Sequence, residues 1–180
     1  MKYYIAILIA IFSIIFIVAL SGCKPKPATV QITHTITNTD ISDILFANGL
    51  CFVNPILVDE VYALPSTDWV KSTFANNFFN LLASLNSLTY VNTENDCDDF
   101  ATLAYTYSHI LHHNTPNKIP HTSLAFGEFW YVKENSGNHA INVFITFEDN
   151  FFTVLFFEPQ TQSIITLSLT EKNSCYFLRF

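Results

Sequence analysis

The stretch Asn95-Asp-Cys-Asp-Asp-Phe-Ala-Thr-Leu-Ala-Tyr105 places a cysteine at the predicted start of a helix. Asp98 and Asp99 follow Cys97 in what would be the first turn, where acidic residues are common. Apolar side chains then recur at helical spacing, at Phe100, Leu103, Ala104 and Tyr107. The first turn of a helix has free N–H groups and a partial positive charge, which stabilise a thiolate. The pattern predicts either a nucleophilic cysteine or a buried structural one that begins a helix.

Composition limits the classes of protein that this chain can belong to. Of its 180 residues, 50% are hydrophobic and 16% aromatic, which is typical of a packed domain and not of a disordered chain. The chain has only 4 glycines, which argues against a glycine-rich phosphate loop. Its formal net charge of −7 makes nucleic acid an unsuitable partner, because phosphate binding requires clustered lysine and arginine.

The N-terminal segment has the pattern of an export signal. Lys2 precedes an almost unbroken apolar run from Tyr3 to Leu20, and Leu20-Ser21-Gly22-Cys23 follows. This sequence resembles the bacterial lipobox, in which the cysteine is lipidated. The alternative is a plain transmembrane anchor, since the run could just span a bilayer. We therefore expect a signal peptide over residues 1–22, lipidation of Cys23, a tether over residues 23–39 and a location in the bacterial cell envelope.

The remainder of the chain predicts an α+β domain over residues 40–180. Asp40 can cap a short helix from Ile41 to Asn48, and an amphipathic helix is predicted from Thr67 to Leu85. A second main helix is predicted from Cys97 to about His113. The stretch from Cys51 to Tyr62 reads as a loop, and Val30, Ile32 and Ile36 leave open a short edge strand. Strand-like runs follow at Thr122–Val132, His139–Phe147, Phe151–Glu158, Gln162–Leu169 and Cys175–Phe180.

Helices followed by strands with short turns indicate an antiparallel sheet packed against the helix that carries Cys97. His139 opens one strand and Glu158 ends the next. A two-residue loop of Glu148-Asp149 would place His139 opposite Glu158, whereas a loop of Asp149-Asn150 would place Glu158 on the diagonal. Both registers leave the two side chains on one face of the sheet. The sequence thus supplies a nucleophile, a base and an orienting carboxylate, with His139 Nδ1 expected to donate to Glu158.

Several short motifs resemble a known family. They are Tyr62-Ala-Leu-Pro-Ser66, Cys97-Asp-Asp-Phe-Ala101, His139-Ala-Ile-Asn-Val-Phe144 and Phe157-Glu-Pro-Gln-Thr161. This set is similar to the papain-like domain at the C-terminus of the agglutinin from Marasmius oreades and its bacterial relatives, and covers roughly residues 59–170. The resemblance implies a papain-like or transglutaminase-like fold, a catalytic triad of Cys97, His139 and Glu158, and calcium dependence.

Three further sets of residues follow from this interpretation. Asp96, Asp98, Asp99 and Glu94 offer hard oxygen ligands for calcium, or they simply cap the helix. The loop before Cys97 offers Asn92 and Asn95 as side-chain donors to an oxyanion. In an oxidising compartment Cys51 and Cys175 would either form a disulfide or stay as two buried thiols. A remaining group, His109, His112 and His113, has metal-binding spacing but also suits a helix C-terminus.

The sequence therefore predicts a membrane-tethered cysteine hydrolase, a peptidase or amidase that acts on a peptide or protein through an acyl-enzyme. The residues alone require no cofactor, and a need for calcium is expected only from the resemblance. The alternative is a catalytically silent surface lipoprotein that uses the same cleft for binding.

Overall fold

A five-stranded antiparallel sheet forms the centre of the computed structural model, which describes residues 29–50, 54–91, 95–116 and 118–180. Its strands are β4 (Phe126–Lys133), β5 (Gly137–Glu148), β6 (Phe151–Glu158), β7 (Ser163–Ile165) and β8 (Phe177–Arg179). They lie in the order β7-β6-β5-β4-β8. The last strand therefore pairs beside β4, next to the hairpin that carries His139 and Glu158.

The turn between β5 and β6 selects one of the two predicted registers. Phe147 pairs with Phe152 and Glu148 with Phe151, so the loop is Asp149-Asn150. Both loop residues have positive φ, at 53° and 65°. Two-residue hairpin loops favour this left-handed backbone, and Asn and Asp tolerate it better than other non-glycine residues.

A second, three-stranded sheet contains elements that the sequence did not predict clearly. It has the order β1 (Ile32–Thr37), β2 (Val61–Pro65) and β3 (Ser123–Leu124), with β1 antiparallel and β3 parallel to β2. Residues 32–37 of the predicted tether therefore belong to the folded unit, as an edge strand. The end of the predicted 51–62 loop is the start of β2.

The first helix, α1 (Asn38–Ala47), begins earlier than predicted. Thr37 is its N-cap: the hydroxyl of Thr37 accepts a hydrogen bond from the backbone N–H of Asp40 at 3.2 Å. Asp40 in turn accepts from the backbone N–H of Thr37 at 2.8 Å. Asp40 is thus the third residue of the helix and not its cap. The two reciprocal hydrogen bonds satisfy two backbone N–H groups that have no partner within the helix.

The predicted helix over residues 67–85 is present but is not a uniform α-helix. A π-helical stretch, Trp69–Phe74, leads directly into α2 (Ala75–Ser84). The π-helical turn holds more residues per turn than an α-helix and so rotates the buried face along the helix. Trp69, Val70 and Phe74 are all buried as a result.

The helix α3 (Cys97–His113) has the predicted bounds and packs on β4 and β5. Phe74 of the π-helical turn lies between α3 and the sheet, with its ring 6.1 Å from Tyr107 and 4.9 Å from Phe126. At the far end of α3, the hydroxyl of Thr115 accepts from the backbone N–H of Val30 at 3.1 Å. The chain is therefore held at this end as it enters the domain.

The other face of the five-stranded sheet packs against α1, and a short helix, α4 (Leu169–Asn173), precedes β8. The arrangement is α+β, as the sequence predicts. Within the described ranges, none of the helices has the length and apolar character needed to cross a bilayer.

Candidate functional site

Cys97 is the first residue of α3 and is partly buried. Asp96 is the N-cap, and the carboxylate of Asp99 accepts from the backbone N–H of Asp96 at 3.2 Å. This capping box fixes the direction in which the helix begins. The thiol of Cys97 therefore lies where the free N–H groups and the positive end of the helix dipole are strongest.

Asn142 joins the helix of Cys97 to the strand of His139. Its side-chain nitrogen donates to the carbonyl oxygen of Ala101 at 2.9 Å and to that of Gly127 at 3.1 Å. Ala101 lies four residues after Cys97, and Asn142 lies three residues after His139. Because Asn142 is fully buried, these two hydrogen bonds fix α3 against β4 and β5 close to the site.

His139 and Glu158 are in direct contact. The Nε2 atom of His139 lies 2.7 Å from Oε2 of Glu158, and the two side chains are only 12% and 8% exposed. The other oxygen of Glu158 accepts from the backbone N–H of Gln160 at 3.2 Å. The prediction that Nδ1 contacts Glu158 was wrong, because the imidazole presents Nε2 to the carboxylate.

The environment favours a charged imidazole. Burial alone would lower the pKa of His139, but hydrogen bonds to Cys97 and Glu158, together with the negative charge of Glu158, outweigh it. They raise the pKa of His139 from 6.5 to about 9, although the positive charge of Lys133 acts against this rise. The three residues that the sequence predicted as a triad are therefore brought together, with His139 between the other two.

Tyr131 forms the floor beneath the imidazole. It is opposite His139 in the pairing of β4 with β5, and the two rings meet edge to face at 5.7 Å. Burial, followed by the negative charges of Glu171, Glu158 and Cys97, raises the pKa of Tyr131 far above its usual range. Tyr131 is thus a neutral phenol that supports the ring of His139.

A small cavity of about 170 Å³ opens beside the thiol. The sequence marked Cys97 and His139 as site residues and Asp98 as a candidate calcium ligand, but it gave no signal for Tyr176, because only the pairing of β8 with β4 brings this residue here. Its lining residues are Cys97, Asp98, Trp130, Asn138, His139, Ala140 and Tyr176.

One of the two predicted oxyanion donors, Asn95, is engaged within its own loop. The side-chain nitrogen of Asn95 donates to the carbonyl oxygens of Ser87 at 3.2 Å and Thr89 at 2.7 Å, which uses both of its hydrogens within the loop. Asn95 is therefore a brace for the loop and not a free donor. Asn92 lies outside the described residues.

The aspartates around the start of α3 do not form a metal centre. The side chains of Asp96 and Asp98 share a hydrogen bond, which together with burial raises the pKa of Asp98, while Asp99 turns back to cap the helix. No group of three or more His, Cys, Asp or Glu in the described ranges is arranged to hold a metal ion. Glu94 lies outside these ranges, so calcium dependence stays a prediction without a fitting ligand set.

The three histidines near the end of α3 have separate partners. The Nε2–H of His109 donates to Phe126 O at 3.1 Å, and that of His112 donates to Thr122 O at 3.1 Å. His113 accepts from the ammonium of Lys118 at 3.2 Å. Burial lowers the pKa of both His109 and His112. These contacts explain the histidines as parts of the fold, and not as ligands of one metal.

Among the remaining cysteines, the structure describes Cys175, which is not one of the residues that line the cavity. Cys175 is a buried free thiol that donates to the carbonyl oxygen of Phe177 at 3.3 Å. Burial raises the pKa of Cys175 to about 12, so it is an unreactive thiol at neutral pH. Cys23 and Cys51 lie outside the described residues, and both the lipidation and the disulfide stay predictions.

Comparison with known proteins places this arrangement in a lectin-related fold. No family model matches the chain, and no curated protein matches it. A structure described as the PSL1a-E64 complex matches with a TM-score of 0.64 and 25% identity, over 81% of this chain and 50% of the other. Polyporus squamosus lectin, bound to the human-type influenza-binding epitope Neu5Aca2-6Galb1-4GlcNAc, matches with the same TM-score and identity over 81% and 49%.

The chain spans about half the length of these solved structures. Their fold family includes the C-terminal domain of the Marasmius oreades agglutinin, so the resemblance in the motifs is confirmed at the level of a lectin-related α+β fold. Because one neighbour is named as a lectin with a glycan epitope, the comparison favours the binding alternative over the hydrolase.

Proposed function

We propose that the chain is a cysteine hydrolase of peptide or amide bonds with a papain-like site. The observation that carries this proposal is the contact of His139 with Cys97 on one side and with Glu158, at 2.7 Å, on the other. A base between a nucleophile and an orienting carboxylate is the arrangement that nucleophilic catalysis requires. The description of one structural neighbour as a complex with E64, an epoxide that alkylates thiolates, is in line with it.

The reaction follows from the positions of these groups. The thiolate of Cys97 attacks the carbonyl carbon, and the negative charge moves to the carbonyl oxygen, which the N–H groups at the start of α3 stabilise. The imidazolium of His139 gives its proton to the leaving amine as the C–N bond breaks, which leaves a thioester on Cys97. Water then loses a proton to His139 and attacks the thioester, so that the acid and the free thiolate are regenerated. Glu158 holds the imidazole in place throughout.

The cellular setting is part of the same proposal. Lipidation at Cys23 would tether the domain to the outer side of a membrane in the bacterial envelope, where it would meet a peptide or protein substrate. The apolar run followed by Leu20-Ser21-Gly22-Cys23 supports this setting. Metabolic labelling with an alkyne fatty acid tests it, because the label should be lost in Cys23→Ala.

Alkylation kinetics test the chemistry of the site. The full-length protein in detergent is treated with iodoacetamide at pH 7.5, and the labelled positions are identified by mass spectrometry. We expect Cys97 to react fast and Cys175 slowly, since the thiol of Cys175 is buried with a pKa of about 12. His139→Ala should slow the labelling of Cys97, whereas His113→Ala, an exposed histidine at the other end of α3, should leave it unchanged. Slow labelling that is indifferent to His139 would refute the hydrolase.

Glycan binding is the second candidate, and the lectin neighbour favours it. A polar cavity of about 450 Å³ offers acceptors and donors that suit sugar hydroxyls, from Asp59, Glu60, Lys118, His121 and Thr122. Calorimetric titration with Neu5Aca2-6Galb1-4GlcNAc tests this candidate. Binding that is lost in Lys118→Ala and retained in Cys97→Ala would support it, and the absence of any heat change would exclude this epitope.

A further inference from the structure

The cavity beside Cys97 has two aromatic walls that are held rigidly. The backbone N–H of Tyr176 donates to the carbonyl oxygen of Trp130 at 3.0 Å, and Phe177 packs against the indole of Trp130 at 4.9 Å. The indole nitrogen of Trp130 is buried, so the ring presents carbon and not a donor to the cavity. Aromatic faces of this kind attract cations through their negative π-clouds.

The charge of the lining is negative. Asp98 is the one carboxylate among the lining residues, and neither lysine nor arginine is among them. Burial first, and then the negative charges of Cys97, Asp98 and Cys175, raise the pKa of the Tyr176 phenol. Asp98 therefore supplies the anionic group of the cavity.

The size of the cavity limits what can enter. At about 170 Å³ it is smaller than the sites of ~300–1,000 Å³ that hold whole drug-sized molecules. It therefore accommodates one side chain of a substrate. Cys97 and the adjacent Asp98 both line the cavity, so a side chain bound there lies next to the acyl group that the sulfur of Cys97 would carry.

We propose that this cavity is a specificity subsite for a basic side chain, lysine or arginine, on the acyl side of the bond that is cleaved. The inference rests on the proposed hydrolase and names its substrate class. The ammonium or guanidinium pairs with the carboxylate of Asp98, and its alkyl stem lies between Trp130 and Tyr176. The substrate is thus a peptide or amide whose carbonyl belongs to a basic residue.

Matched affinity probes test the subsite directly. Two peptidyl acyloxymethyl ketones are compared, which carry lysine or norleucine next to the reactive carbon and are otherwise identical. Both alkylate the thiolate with loss of the carboxylate leaving group. We expect the second-order rate constant for Cys97 to be about tenfold higher with lysine, because a partly buried charged hydrogen bond has this magnitude.

Variants of Asp98 identify the source of the preference. Asp98→Asn should reduce the lysine-to-norleucine ratio about tenfold, and Asp98→Glu should restore most of it. Asp43→Asn is the control for a general loss of negative charge, because Asp43 lies on α1, and its ratio should match the native protein. The ratio is measured within each variant, so a partial loss of folded protein affects both probes equally.

The outcomes separate this inference from the proposed function. Fast labelling by both probes with a ratio near one, or a ratio that survives in Asp98→Asn, overturns the basic subsite and leaves the hydrolase standing. Labelling of Cys97 that is slow with both probes and indifferent to His139→Ala overturns the hydrolase itself, and the subsite with it.

Discussion

His139 lies beside the N-terminal end of α3 and His109 and His112 lie in its C-terminal half, and the two regions treat their imidazoles differently. His139, in the cleft, contacts a carboxylate at 2.7 Å and has a pKa raised to about 9. His109 and His112, in the C-terminal half of α3, donate to carbonyl oxygens and have pKa values that burial lowers. Burial acts in the same direction on all three rings. Only the cleft supplies anionic partners that reverse its effect.

This contrast has opposite consequences for stability. Since the pKa of His139 is raised, its contribution to folding is fully present below about pH 6.5 and is lost as the pH rises through about 9. The lowered pKa values of His109 and His112 contribute stability above pH 6.5, which is lost as the pH falls below that value. The pKa shifts thus favour a charged imidazole in the cleft and neutral imidazoles at His109 and His112.

The largest expected effect is the loss of the carboxylate in the cleft. Glu158→Gln keeps the shape of the side chain but removes its charge, so we expect the pKa of His139 to fall by about 2 units. Proton NMR of the imidazole C–H across pH 5–10 measures this shift. Labelling of Cys97 by iodoacetamide at pH 7.5 should slow, because a less charged imidazole stabilises the reactive thiolate less.

The exposed carboxylate of Glu60 provides the matched control, since Glu60→Gln should change neither the pKa nor the rate. If the pKa of His139 stays near 9 in Glu158→Gln, then the carboxylate of Glu158 is not what distinguishes His139 from His109 and His112.

The reverse experiment adds a carboxylate beside His112, which has no anionic hydrogen-bond partner among the described residues of the native protein. The hydroxyl of Thr122 lies 3.3 Å from Nε2 of His112. Thr122→Asp should raise the pKa of His112 by about 1–2 units, because an anion at this distance favours the charged ring. Thr122→Val, which removes the hydroxyl without adding charge, should not raise it, as measured by the same NMR titration. No rise in Thr122→Asp would mean that burial, and not the lack of a partner, determines the state of His112.

Acid should destabilise the protein by protonating His109 and His112, whose pKa values are lowered by burial. Between pH 6.5 and 5 the free energy of unfolding should fall by at most about 1.4 kcal/mol per pH unit for each such group. Urea unfolding followed by tryptophan fluorescence measures the slope. His112→Gln should reduce it, whereas His121→Gln, an exposed histidine, should leave it as it is. Equal slopes in His112→Gln and the native protein would mean that protonation of His112 does not destabilise the fold.

The smallest effect on stability is expected at Cys97, the proposed nucleophile. Cys97→Ala should abolish alkylation at this position but change the free energy of unfolding by no more than about 0.5 kcal/mol, since Cys97 is only partly buried. Phe100→Ala, one turn further and 2% exposed, should cost about 3–5 kcal/mol in the same urea experiment. A loss above about 2 kcal/mol in Cys97→Ala would instead mark a structural cysteine.

The elements that local chemistry determines were predicted well. The bounds of α3 match because Asp96 and Asp99 cap it and the apolar residues keep one period. The β5–β6 hairpin matches one of two predicted registers, because Asp149-Asn150 tolerates positive φ. The contact of His139 with Glu158 then follows from the two-residue period of a strand.

The sequence did not predict features that depend on distant parts of the chain or on the rotamer of a side chain. Tyr176 reaches the cleft only because β8 pairs with β4, where Phe177 lies opposite Trp130. The strand β2 pairs in parallel with β3, about sixty residues later, through short segments that have no clear alternation. The ring orientation of His139 is a side-chain choice that no pattern of residues specifies, so the wrong nitrogen was predicted.

The hydrogen bond from Val30 to Thr115 also determines how far Cys97 lies from the point where the chain enters the domain. The chain enters the domain at the C-terminal end of α3, while Cys97 lies at its N-terminal end. A helix of 17 residues is ~25 Å long at a rise of about 1.5 Å per residue. With the proposed lipid anchor ahead of Val30, α3 acts as a spacer between the point of attachment and the thiol. We therefore expect the cleft to reach bonds in targets that project from the membrane and not bonds that lie at the membrane surface.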